Sequence, residues 1–270
     1  MKRIHHLLLI ALVILSSFTI GFLIGNQNIQ KADMDIIIPP TPVELKTQDG
    51  LLIKGDYYES FGDEGVILLH STNKDRHAYY NLTKYLVRAG YNVLAIDLRG
   101  FGDSKNNVNY SPQAYKEMVY DVKSGVDFLL EEKQLSNVSL IGSSIGAAVA
   151  IKYAANDPSR IRRVVLISPF GYSNGINVTN KVLNYTKPVL FIASSQDPRS
   201  GEQTILLYNA SKSVRKYISY NNSTYHAEMI VELDPVFDSE IVSFLNAELL
   251  TYFQEEEQFK CGDVTTLKGF

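Results

Sequence analysis

Five short apolar runs limit most strongly how this chain can fold. Residues 66–69, 93–96, 138–141, 164–167 and 189–192 read Val-Ile-Leu-Leu, Val-Leu-Ala-Ile, Val-Ser-Leu-Ile, Val-Val-Leu-Ile and Val-Leu-Phe-Ile. A strand with one face in water alternates apolar and polar residues, and these runs do not. They suit parallel strands covered on both faces. Helix-length stretches separate them. Residues 78–89 space Tyr79, Leu82, Tyr85, Leu86 and Ala89 on one helical face and meet Gly90 as a stop. Residues 112–132 repeat the pattern through Tyr115, Met118, Val119, Val122, Val126 and Leu129, and 145–155, 201–210 and 236–250 complete the set. A β-α-β-α series of this kind predicts an α/β fold with a doubly wound, mostly parallel sheet and right-handed crossovers. Residues 43–47 and 51–58, flanking Gln48-Asp49-Gly50, read as a hairpin. With a last strand at 214–220 the sheet is eight-stranded.

The chain divides unevenly. Of its 270 residues 45% are hydrophobic, enough for a sizeable core, and these residues are not evenly spread. Leu7 to Ile24 carries no charge and would span roughly 27 Å as a helix, close to the roughly 30 Å hydrocarbon core. The run lacks the polar stripe of a core helix. It is longer than a typical signal-peptide core and meets no Ala-x-Ala site, so residues 1–25 read as a transmembrane anchor, with a cleaved signal as the alternative. Lys2 and Arg3 precede the span, which puts the short N-terminus in the cytoplasm and the rest outside. N-x-[ST] sequons, among them those beginning at Asn81, Asn137, Asn177, Asn184, Asn209, Asn221 and Asn222, follow the anchor and fit an exported domain. Residues 26–42 end in Pro39-Pro40-Thr41-Pro42 and read as an extended linker, 43–250 as one catalytic-size domain, and 251–270 as a polar tail.

Charge and cysteine content exclude several function classes. A formal net charge of −3 gives no basic surplus for nucleic acid. The lone Cys261 rules out an internal disulfide and cysteine-rich metal sites. No zinc-ligand set, P-loop or dinucleotide-binding glycine turn is present, so no cofactor is implied.

The chemistry concentrates in Gly142-Ser143-Ser144-Ile145-Gly146, between an expected strand and an expected helix. A serine on so tight a turn holds its Oγ clear of the sheet, and the two glycines remove side chains that would collide with neighbouring backbone. The helix start supplies free N–H groups and positive dipole for a developing oxyanion, beginning with the N–H of Ile145. Such a serine needs a general base, and the base needs an orienting acid. Asp197 follows the expected strand at 189–192, and His226 follows the strand at 214–220. Of the five histidines, His226 alone completes the order Ser-Asp-His. Ser144 is then the candidate nucleophile, His226 its base and Asp197 the orienting acid. Ser143 reads as a packing residue.

Three segments resemble the α/β-hydrolase superfamily: the strand ending in His70-Ser71-Thr72, the stretch Asp97-Leu-Arg99-Gly100-Phe-Gly102-Asp-Ser104, and the turn Gly142 to Gly146. The second is similar to the carboxylesterase and serine aminopeptidase-like branch. The resemblance spans about residues 43–250 and implies an acyl-enzyme mechanism, with the N–H of Thr72 as second oxyanion donor. It also makes His70, Asp97 and Arg99 scaffold residues. One departure stands out: the family's glycine after the strand-end histidine is Ser71 here. About twenty residues, Pro169 to Pro188, lie where many members insert a cap domain. That predicts a minimal cap and a shallow site for a small acyl ester, with the polar stretch 171–179 as a mobile loop. The expected function is a membrane-anchored serine hydrolase of carboxylic esters. Peptide or thioester hydrolysis on the same fold, or a catalytically silent binding module, are the alternatives. No feature sets the oligomeric state.

Overall fold

The computed structural model describes residues 39–105 and 111–246. The expected anchor, most of the linker, residues 247–250 and the polar tail lie outside the described residues. Among the described residues no helix is long and apolar enough to cross a membrane.

The strands are β1 (Thr41–Lys46), β2 (Leu52–Tyr58), β3 (Glu64–Leu69), β4 (Asn92–Ile96), β5 (Asn137–Ser143), β6 (Ile161–Ile167), β7 (Tyr172–Ser173), β8 (Ile176–Asn177), β9 (Val189–Ser194) and β10 (Lys216–Asn221). Eight of them form one sheet in the order β1-β2-β4-β3-β5-β6-β9-β10. β2 runs antiparallel to both of its neighbours, and every other pairing is parallel. This is the mostly parallel eight-stranded sheet that the apolar runs predict. β1 starts at Thr41 and takes in Pro42, inside the stretch read as linker. An edge strand tolerates a proline because one of its sides has no ladder to complete. The β1–β2 turn closes as Asp-Gly predicts, with Thr47 N–H donating to Leu51 O and Gly50 at φ 89°.

The helices are α1 (Tyr80–Arg88), α2 (Pro112–Glu117), α3 (Val119–Asp127), α4 (Ile145–Asn156), α5 (Val178–Asn184), α6 (Gly201–Ala210), α7 (Met229–Leu233) and α8 (Pro235–Leu245). The single helix expected over 112–132 is divided at Met118. There the turn tightens and the Met118 N–H reaches Tyr115 O. Sheet order reverses between β4 and β5, so right-handed crossovers put α1 on one face and α3 to α6 on the other. The helix contacts follow this division: α1 packs with α7 and α8, while α3, α4, α5 and α6 pack in series. Covered on both sides, Val66, Ile67, Leu69, Leu140, Ile141, Val164 and Ile167 are fully buried.

The segment between β6 and β9 is as small as its length requires, holding the β7–β8 hairpin and the two turns of α5. The stretch 171–179 is not the open loop its polarity suggests. Asn174 and Gly175 both take positive φ, at 47° and 87°, which closes a two-residue hairpin turn.

Arg99 ties the first hairpin to the helical layer. It is 1% exposed, bonds Asp121 through Nε at 2.8 Å and Asp49 through Nη1 at 2.6 Å, and its own N–H donates to Asp121. Removing one partner of a buried pair leaves the other charge uncompensated. Arg99→Leu is expected to lower stability by about 3 kcal/mol in urea denaturation, more than Arg99→Leu combined with Asp121→Leu.

Asp238, buried in α8 with Oδ1 unpartnered, is pushed up to about 7 by burial and by Glu232 and Asp234. A carboxyl raised on folding keeps its proton in the native state between its ordinary value and that higher one. Stability therefore falls as pH rises through the window from about 4 to 7. Asp238→Asn is expected to gain on the order of 2 kcal/mol at pH 8 and nothing at pH 4, measured as the shift in urea midpoint at each pH.

Candidate active site

Ligands of open α/β sheets bind beyond the carboxyl ends of the strands, where strand order reverses. Here that place is the gap between β3 and β5, adjacent strands whose outgoing connections run to opposite sides. Ser71 and Thr72 follow β3, and Ser144 follows β5. Both sequence-predicted segments therefore arrive at the switch point.

The turn from β5 to α4 is held open by two glycines. A Cβ on Gly142 would lie 2.4 Å from the Gly146 carbonyl carbon, and a Cβ on Gly146 would lie 2.1 Å from Leu69 O. Because α4 starts this close to the end of β3, the chain must reverse within one residue. That residue is Ser144, at φ 50° and ψ −111°. Such a conformation costs of order 1–3 kcal/mol in a non-glycine residue. The Ser144 N–H donates to Ile167 O at 2.9 Å, which fixes the turn against β6. Ile145 opens α4, where the first N–H groups have no acceptor in the helix.

Asp197 and His226, distant in sequence, are in direct contact, with Nδ1 of His226 2.6 Å from Oδ2 of Asp197. Asp197 is buried while the His226 side chain keeps 19% exposure, so the pair has a dry and a wet end. Burial opposes ionisation of Asp197. The Ser200 hydroxyl at 2.6 Å, the His226 ring and the Arg199 N–H outweigh it and hold the carboxyl below its usual range. Phe170 flanks the imidazole with ring centroids 5.7 Å apart.

The serine turn and the histidine loop are fastened to consecutive residues. Ser144 bonds Ile167 O, and the N–H of Ala227 donates to Ser168 Oγ at 3.0 Å. A second tie runs between their neighbours: Ser143 Oγ donates to Glu228 at 2.6 Å. Ser143 is wholly buried in this bond and in one from Tyr79, as befits a packing residue.

His70 is fully buried. The Leu98 N–H is an obligatory donor to its Nε2, so the ring proton lies on Nδ1, which donates to Ser71 O at 2.8 Å. Burial lowers its basicity and keeps it neutral. Asp97 accepts from the N–H groups of Arg76 and Asp103 and pairs with the Arg76 guanidinium. These are the scaffold roles expected of His70 and Asp97.

Two residues of this region escape a reading of the sequence. Ser200 reads as an ordinary helix N-cap, yet its hydroxyl goes to Asp197. Glu228 reads as an acidic residue ahead of a short helix, yet it is 4% exposed and bonded to Ser71 and Ser143.

The family described as "Serine aminopeptidase, S33" matches residues 63–220, more than half of the chain. The chain is 31% identical over 109 residues to a 2-hydroxy-6-oxononadienedioate/2-hydroxy-6-oxononatrienedioate hydrolase of Escherichia coli O81 (strain ED1a). That match covers 39% of this chain and 36% of the relative. It is 25% identical over 134 residues to the uncharacterized hydrolase YugF of Bacillus subtilis (strain 168), covering 49% of this chain and 46% of that one. The chain thus spans less than half the length of these curated relatives. The Pyrococcus furiosus esterase Pf2001 superposes with a TM-score of 0.68 at 23% identity, covering 80% of this chain and 94% of that one. At that identity the likeness is one of fold.

The close approach at Gly146 yields a direct expectation. Gly146→Ala would drive a methyl into a backbone carbonyl that cannot give way. It is expected to destabilise by about 3 kcal/mol in thermal or urea unfolding, against about 1 kcal/mol for Ala147→Gly one residue on.

Proposed function

We propose, from the premise that the chain belongs to the serine aminopeptidase S33 family and through it to the α/β-hydrolase superfamily, that it is a membrane-anchored serine esterase with Ser144, Asp197 and His226 as its triad. The observation that carries this reading is the 2.6 Å Asp197–His226 bond, on a loop fastened to the same strand end as the strained Ser144 turn. Asp197 Oδ2 accepts the Nδ1 proton, which leaves Nε2 of His226 as the basic nitrogen.

In this reading His226 Nε2 takes the Ser144 hydroxyl proton as Oγ attacks the ester carbonyl. The N–H groups of Ile145 and Thr72 receive the oxyanion. The imidazolium then returns its proton to the departing alkoxide, which leaves as the alcohol, and an acyl-Ser144 remains. Water, deprotonated by the same nitrogen, releases the acid and restores the serine. The short β7–β8 and α5 segment supports a preference for small acyl groups, because little chain is available to build a deep acyl tunnel.

The family description favours one rival, peptide hydrolysis. It uses the same groups but asks more of His226, since an amine leaves only after protonation. The anchoring reading rests on the uncharged run from Leu7 to Ile24 behind Lys2 and Arg3, and the same charge pattern supports a catalytic domain outside the cytoplasm. Protease added to intact cells should then remove that domain, and protection until lysis would reverse the orientation.

Wild-type protein is expected to release p-nitrophenol from short acyl esters with a burst, and to take up a fluorophosphonate at Ser144. Ser144→Ala should abolish both, and Asp197→Asn should lower kcat by about 10²–10⁴. Equal turnover by wild type and Ser144→Ala would remove the assignment. Faster cleavage of aminoacyl p-nitroanilides than of esters would favour the peptidase.

A further inference from the structure

Glu228 is a buried carboxylate whose donors come from outside its own helix. The Ser71 N–H donates to Oε1, the Ser71 hydroxyl to Oε2 at 2.8 Å, and the Ser143 hydroxyl to Oε1 at 2.6 Å. Behind Ser143, the Tyr79 hydroxyl donates to Ser143 Oγ at 2.8 Å and lies 3.2 Å from Leu69 O. The carboxylate thus joins the turn after β3, the turn after β5 and the loop bearing His226. Ala227, between His226 and Glu228, takes φ 56°. This kink separates a partly exposed imidazole from a carboxylate that is 4% exposed.

Burying a carboxylate is unfavourable, and an apolar side chain would fill the space at lower cost. What the carboxylate supplies is direction, because charge-assisted hydrogen bonds hold their donors to a narrow geometry. Every polar group of Ser71 is engaged. Its N–H and hydroxyl go to Glu228, and its carbonyl accepts from His70 Nδ1 at 2.8 Å and from the Lys74 N–H at 3.3 Å. The Thr72 peptide follows directly, and Asn73 at φ 63° completes the turn.

We propose that Glu228 is a positioning residue of the catalytic centre, clamping the Ser71–Thr72 turn to the nucleophile turn so that the Thr72 N–H is held as an oxyanion donor. This rests on the reading of Ser144 as the nucleophile. The clamp accounts for Ser71 standing where the family has glycine: glycine would keep the N–H bond to Oε1 and lose the hydroxyl bond to Oε2. It also commits the Ser71 N–H to Glu228, leaving Thr72 as the donor from this turn. A misaimed donor weakens binding of the transition state more than binding of the ester, so the loss falls on kcat.

The test uses the full-length protein, with active sites counted by fluorophosphonate titration and kcat and KM measured on p-nitrophenyl acetate and butyrate. Glu228→Ala is expected to lower kcat per titrated site about 10–100-fold, with KM moving less than about threefold. Glu228→Gln keeps an oxygen for the Ser71 N–H and should recover to within about fivefold of wild type. Ser71→Gly should cost about 3–10-fold alone and little more in the Glu228→Ala background, since both remove the same tie. A residue serving stability alone would lower the number of titratable sites and leave kcat per site unchanged. That outcome, or a Gln variant as poor as Ala, overturns the proposal. If Glu228→Ala does not fold, the Gln and Ser71→Gly variants decide it by the same criterion. No fluorophosphonate adduct on wild-type Ser144 would remove the hydrolase reading and the clamp together. An adduct on wild type with unchanged kcat per site in the variants removes the clamp alone.

Discussion

The close approach of α4 to the end of β3 is the constraint on which the rest of the candidate site's edge depends. Gly146 lies so near Leu69 O that no side chain fits between them. With the helix start held there, the chain leaving β5 has one residue in which to turn, and Ser144 adopts positive φ to make the turn. The strain is stored where the surrounding structure over-determines it: β5 pairs with β3 and β6 on either side, and the Ser144 N–H is bonded to Ile167 O. A looser contact at Gly146 would let the turn relax and the serine fall back toward the sheet.

Around that turn the structure spends buried polar groups freely. His70, Asp97, Arg99, Asp121, Ser143, Asp197, Ser200 and Glu228 are all buried, and each has hydrogen-bond partners. Desolvation makes such groups unfavourable one by one, so they persist as satisfied networks. The networks divide by task. Arg99 and Asp97 fix the loops beyond β4. Ser200 and His226 satisfy the Asp197 carboxylate, and Glu228 gathers donors from two turns. The absence of a disulfide among these elements leaves their alignment to hydrogen bonds and packing.

The fold was legible because its signals are local. Uninterrupted runs such as Val164 to Ile167 mark covered parallel strands, and the periodicity from Tyr79 to Ala89 with Gly90 behind it marks a helix and its end. The errors were local too. Asn174-Gly175 is a hairpin signal inside a stretch whose polarity reads as a mobile loop, and the helix over 112–132 divides at Met118 without a proline or glycine to announce it. At the candidate site, Ser144, Asp197 and His226 can be picked out because each follows a strand, in the chain order of the fold that the sequence resembles. Ser200 and Glu228 cannot, since each has an ordinary local reading as a residue capping the start of a helix.

By itself the sequence determined the order of strands and helices, the glycines that make the serine turn possible, and the residue types waiting at the strand ends. Periodicity and turn chemistry act over a few residues, and the sequence states them directly. Tertiary structure alone decided which of those ends meet. Glu228 reaches Ser71 across 157 residues of chain. That contact exists only because sheet order brings β3 beside β5 while the histidine loop is tied to the end of β6. No local pattern records such a contact, because the geometry that creates it belongs to the assembled sheet.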